Sequence, residues 1–69
     1  MIKLREYRLK ANLSRAQLAD KAGVDERLIS NAENGKRIQD TKAYALARTL
    51  SELLNLELTI ENLEIKIYP

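Results

Sequence analysis

Sixty-nine residues, 45% of them hydrophobic, with no cysteine and no histidine, make one small domain that excludes disulfides and lacks the nitrogen and sulfur ligands that hold structural zinc. The net charge of +2 hides an asymmetry: residues 1–48 hold eleven Lys/Arg against six Asp/Glu, whereas residues 49–69 set Lys66 against four glutamates, so a basic body carries an acidic tail. No apolar run approaches the roughly 20 residues of a membrane span, and the opening Met1 to Arg5 lacks the apolar core of a secretory signal, so the reading is a soluble, cytoplasmic protein without membrane contact.

The first helix is expected from about Ile2 to Ala11, where Leu4, Tyr7 and Ala11 fall on one stripe and Arg8 lies at its edge. Asn12 suits a left-handed stop. Ser14 and Gln17 have the spacing of a capping box, and Leu13 is placed to staple onto Leu18, which starts a second helix over about residues 14–22. Gly23 allows a sharp turn through positive φ. A third helix over about residues 25–34 begins at Asp25, with Val24 and Ile29 in the staple positions.

Leu18, Ala22, Val24, Ile29 and Ala32 form one inward set across these two helices, with Ala19 small enough for close approach. The outward face of the third helix then carries Glu26, Arg27, Ser30, Asn31 and Asn34, nearly all able to give or accept hydrogen bonds. A basic loop, Lys36 and Arg37, follows. Asp40 reads as the cap of a fourth, core-closing helix with Ala43, Leu46, Ala47, Leu50, Leu53 and Leu54 inward.

The tail alternates with period two in Leu56–Ile60 and again in Leu63–Ile67. Paired as a β-hairpin about Glu61 and Asn62, it sets Ile60 against Leu63, Leu58 against Ile65 and Leu56 against Ile67 on one face, with Glu57 opposite Lys66 on the other. A rival is a short helix capped by Thr59, with only Glu64 to Tyr68 extended. An apolar hairpin face needs a cover. A symmetric homodimer through Leu56, Leu58, Ile60, Leu63, Ile65 and Ile67 would supply it, so residues 56–69 are read as a dimerisation extension of a domain spanning residues 1–55.

Catalysis has no support here. With no histidine or cysteine, and with Ser14, Ser30 and Ser51 lacking an evident base, no general base or activated nucleophile stands out. Single glycines at 23 and 35 make no phosphate-cradling loop, and no metal, cofactor or small-molecule substrate is implied.

Leu13-Ser14, Gln17-Leu18-Ala19, Ala22-Gly23-Val24, Ile29-Ser30 and Glu33-Asn34-Gly35 stand in one uninterrupted register that resembles the helix-turn-helix of the phage-repressor and Cro-like (XRE) family. The likeness covers roughly Leu4 to Leu50. It implies a mainly α, compact four-helix domain whose third helix reads double-stranded DNA in the major groove.

By that resemblance the base-reading positions are Glu26, Arg27, Ser30 and Asn31. Arg27 can fork onto guanine O6 and N7, Asn31 can pair with adenine N6 and N7, and Glu26 can accept from cytosine N4, orient Arg27 or simply favour the helix start. Phosphate contacts fall to Ser14, Arg15 (where the family frequently has glutamine), Asn34, Lys36 and Arg37. Arg8 and Glu33 match positions that family members pair as a structural ion pair. Leu28 departs from the family's small or polar residue, and either touches a thymine methyl or packs against the fourth helix.

The function implied is a transcriptional regulator, most simply a repressor bound as a homodimer to a near-palindromic operator. Small stand-alone relatives include phage and mobile-element regulators, restriction-modification controllers and antitoxins. An antitoxin with a toxin partner is therefore the nearest alternative, and a protein interaction module that has lost DNA binding is the alternative from another class.

Overall fold

In the computed structural model, residues 2–69 are described, and Met1 lies outside them. The elements are α1 (Lys3–Lys10), α2 (Arg15–Ala22), α3 (Glu26–Glu33) and α4 (Asp40–Leu54).

One closing device ends every helix. A residue at positive φ follows the last turn, and the next N–H reaches back five residues to a carbonyl that would otherwise be unpaired. Asn12 (φ 61°), Gly23 (72°), Gly35 (83°) and Asn55 (55°) take the left-handed position. The matching bonds are Leu13 N–H to the Arg8 carbonyl (3.2 Å), Val24 to Ala19 (3.0 Å), Lys36 to Asn31 (2.9 Å) and Leu56 to Ser51 (3.0 Å). At Gly23 a Cβ would meet nothing within 4 Å, so the positive φ, not space, makes glycine suitable there.

The helix starts are less uniform. α2 opens with both halves of a capping box: Gln17 N–H donates to Ser14 Oγ (3.1 Å), and Ser14 N–H donates to Gln17 Oε1 (2.8 Å). At the start of α3, Arg27 N–H donates to Asp25 Oδ1 (3.0 Å). Asp40 is not the cap of α4. Gln39 holds that position without a side-chain bond, and Asp40 is the first helical residue, accepting from Thr41 N–H at 2.7 Å. Its carboxylate still suits a helix start, through the positive end of the helix dipole.

Leu4, Leu18, Ile29, Leu46, Leu50 and Leu63 are fully buried at the centre, and the small residues Ala19, Ala32, Ala43 and Ala47 are buried among them. Leu53, expected inward, is 45% exposed. Leu54 takes the i+4 place from Leu50 on the inward stripe, which leaves Leu53 at its margin without a cover.

The tail corrects the sequence reading. Among the described residues there is no hairpin and no strand pair, only a single parallel bridge between Ile38 and Ile67. Thr59 and Asn62 instead cap each other: Asn62 N–H donates to Thr59 Oγ1 and Thr59 N–H to Asn62 Oδ1, both at 3.0 Å. That exchange nucleates one helical turn, closed by Glu64 at φ 59° with Ile65 N–H on the Ile60 carbonyl (3.3 Å), which repeats the device that ends the four helices. The rival reading comes nearer, since Thr59 does cap the segment, but what it caps is a single turn and not a helix, and Glu64 at positive φ is not extended. Two polar side chains at spacing three offered the backbone a local partner, while Glu61-Asn62 is poor chemistry for a tight hairpin turn.

This route places Leu63 (0% exposed) and Ile65 (7%) in the same core as the helices. Both were assigned to a dimer interface, and both are occupied inside their own chain. Leu58 and Ile60 are half-buried, leaving Leu56 and Ile67 exposed. Besides the bridge to Ile38, the tail is tied down at three further points. Ser51 Oγ accepts from Leu58 N–H (2.9 Å), Leu4 N–H donates to the Leu63 carbonyl (3.0 Å), and Lys3 N–H donates to Glu64 Oε1 (3.1 Å). Since α1 has no capping side chain of its own, the last two bonds serve as its N-terminal cap.

Candidate nucleic-acid interface

α2 and α3 pack against each other through Leu18, Ala19, Ile29 and Ala32, which fixes the outward face of α3 relative to the start of α2. Glu26 and Arg27 are exposed on that face, and Ser30 and Asn31 are half-buried beside them. Arg15, Glu26, Arg27 and Ser30 border one shallow depression, so the start of α2 and the start of α3 share a surface. Asn34, Lys36 and Arg37 are exposed where the chain leaves α3. Ser14 is exposed, its N–H taken by the capping box and its Oγ accepting there, which leaves its O–H as a donor.

Beneath this surface Glu33 binds two arginines. Arg8 Nε donates to Glu33 Oε2 (2.6 Å) and Arg8 Nη2 to Oε1 (3.2 Å), a two-pronged contact between side chains only 7% and 1% exposed. Arg8 Nη1 also donates to the Leu13 carbonyl (2.9 Å), so a single side chain joins α1, the α1–α2 loop and α3. Every buried side-chain polar atom among the described residues has a partner, which is the condition under which a buried charge is tolerated.

Arg15 is the second arginine. Its Nε donates to Glu33 Oε1 (3.1 Å), while its side chain stays 40% exposed. The carboxylate thus holds two guanidinium groups, for a net charge of +1, with the outer one oriented at the surface. Sequence reasoning gave Arg15 a phosphate contact and did not foresee its hold on Glu33.

Leu28 is half-buried and packs against the core, the inward of its two expected roles. Glu26 makes no hydrogen bond to Arg27 among the described residues, so nothing there orients the arginine. Gln39 and Tyr68, neither singled out in the sequence, share a second depression with Arg27, Asn31 and Arg37. Tyr68 arrives there because Ile38 N–H donates to the Lys66 carbonyl (3.0 Å) and Tyr68 N–H to the Ile38 carbonyl (3.1 Å).

A helix-turn-helix family model of the Cro/C1 (XRE) type matches residues 4–60. The chain belongs to that family. The match takes in all four helices and makes this a double-stranded-DNA-binding helix-turn-helix domain, with residues 61–69 beyond its limit. No curated protein and no solved structure matches the chain. Among the described residues no cluster of acidic side chains could hold a metal ion, and no helix of this helix-turn-helix domain is long and apolar enough to cross a membrane.

Proposed function

We propose that the chain is a sequence-specific transcriptional regulator, a repressor that occupies a near-palindromic operator as a homodimer. The observation that carries the reading is the outward face of α3, where Arg27, Ser30 and Asn31 stand between Arg15 on one side and Arg37 on the other. B-DNA's major groove admits one α-helix and displays a donor and acceptor pattern that distinguishes all base pairs. Arg27 is the reader of guanine and Asn31 of adenine, with Ser30 between them and Glu26 accepting from cytosine at the helix start.

Phosphates on either side are gripped by Arg15, Lys36 and Arg37, with the Asn34 amide and the N-terminus of α2 at Ser14 adding donors. Because Glu33 engages Arg15 through Nε, the terminal nitrogens of that guanidinium remain for a phosphate oxygen. A side chain already held in place loses less freedom on binding than a solvated one.

Selection of bound sequences from a random duplex library tests the reading. The expected product is a near-palindrome with half-site centres one helical turn, ~34 Å, apart. A promoter overlapping that site should fall in activity when the protein is supplied. Failure to retain any duplex at low salt, where phosphate attraction is strongest, would overturn the proposal.

A further inference from the structure

We propose that the extended segment 65–68 is part of the DNA-contacting surface, with the Tyr68 phenol donating to a backbone phosphate beside the bases that α3 faces. The inference rests on the DNA-reading face proposed above and extends it to residues outside the helix-turn-helix match, which ends at residue 60.

The segment is held firmly enough to aim a side chain. Its two backbone hydrogen bonds to Ile38 flank a parallel bridge, and Ile65 at 7% exposure anchors it in the core. Side chains alternate along extended backbone. With Ile65 turned inward, Lys66 and Tyr68 share the outward side, and both are exposed. Lys66 is the only cation in residues 49–69, and its carbonyl is bonded to Ile38, next in sequence to Arg37.

Tyr68 borders a depression whose polar rim is Asp25, Arg27, Asn31, Arg37 and Gln39. The Asp25 carboxylate accepts the Arg27 N–H in its capping role. Against that one carboxylate stand two guanidinium ions and two amides, and the Tyr68 phenol adds a hydroxyl donor, so the balance of charge and donors still favours an anionic oxygen. The floor is Leu28 and Ile38, which offers an anion nothing and leaves the rim as the point of contact. Tyr68 is 58% exposed, so its aromatic ring is not there to complete the core. A tyrosine adds contact area at low entropic cost, having two side-chain torsions, and its hydroxyl is a common donor to phosphate.

The test compares wild type, Tyr68→Phe and Lys66→Ala on a random-sequence duplex at low salt and on the site selected by the wild type, with thermal melting of each protein alongside. Tyr68→Phe keeps the ring and removes one hydrogen bond, so affinity should fall about three- to tenfold on both duplexes, with the melting temperature and salt slope unchanged. Lys66→Ala should lower the salt slope by about one unit. Wild-type affinity in Tyr68→Phe overturns the proposal while leaving the reading of α3 intact. A loss confined to the selected site overturns the phosphate assignment by moving Tyr68 to a base edge. A salt slope unchanged by Lys66→Ala removes that residue from the surface, and a wild-type protein that binds neither duplex removes the DNA reading itself.

Discussion

At the scale of single residues, the centre of the molecule is Glu33. A carboxylate 1% exposed is stable only while its partners stay in place, and here they are Arg8 from α1 and Arg15 from α2. Arg8→Ala strands the carboxylate in the core, so the expected loss is ~3–5 kcal/mol by urea denaturation. The double variant with Glu33→Ala should recover part of it. Strict additivity of the two single changes would show that the contact carries no coupling energy. Arg15 behaves differently because water reaches it. Exchanging it for the glutamine frequent in the family should alter stability by no more than about 1 kcal/mol. DNA binding should suffer instead, with a salt slope reduced by about one unit, since a phosphate grip has lost its charge. A slope equal to that of wild type would assign Arg15 to the ion pair alone. The Arg8 and Glu33 pair could be read from the sequence through the family resemblance, because both match positions that family members pair. The shared use of Glu33 could not, since nothing in a one-dimensional spacing says how many cations reach one carboxylate.

At the scale of elements, legibility follows the range of the interaction. α2 and α3 announce themselves because their caps are local: Ser14 answers Gln17, Asp25 answers Arg27, and each left-handed stop lies within two residues of its helix. The tail's period-two pattern is equally satisfied by a hairpin and by the route it takes. What decides between them lies far along the chain, in the uncapped N–H groups of α1 and the open backbone of Ile38, which residues 63–68 fill. The tail is therefore a closing strap, and Leu63 is its largest buried anchor. Leu63→Ala should cost ~2–5 kcal/mol, as for other fully buried leucines, and should loosen α1 as well as the tail. Hydrogen exchange at the N–H groups of Lys3 and Leu4 would report that coupling. Protection left at the wild-type level in a destabilised variant would show that the strap and α1 open independently.

At the scale of the whole molecule, size sets the stoichiometry of a palindromic complex. One copy measures 29 × 22 × 22 Å and carries one α3, so it can seat one helix in one major groove. Half-sites ~34 Å apart then need two copies. In the proposed homodimer, with Leu63 and Ile65 spent on the core, we expect the contact to fall on exposed apolar residues such as Tyr44 at 63% and Leu56 at 48%, which border one groove between α4 and the tail. Arg48, Glu57 and Glu61 on the same groove can cross-pair around a two-fold axis, because a symmetric interface sets each group of one copy against the other's. Light scattering of the complex should accordingly give the mass of the selected duplex plus twice the 7.9 kDa chain mass. Leu56→Glu buries a charge at that contact and should weaken binding to the full palindrome far more than to a half-site, since only the former draws on both copies. Equal weakening on both duplexes would place the contact elsewhere, and a complex that adds only one 7.9 kDa chain to the full palindrome would mean that a single helix-turn-helix domain reads its site alone.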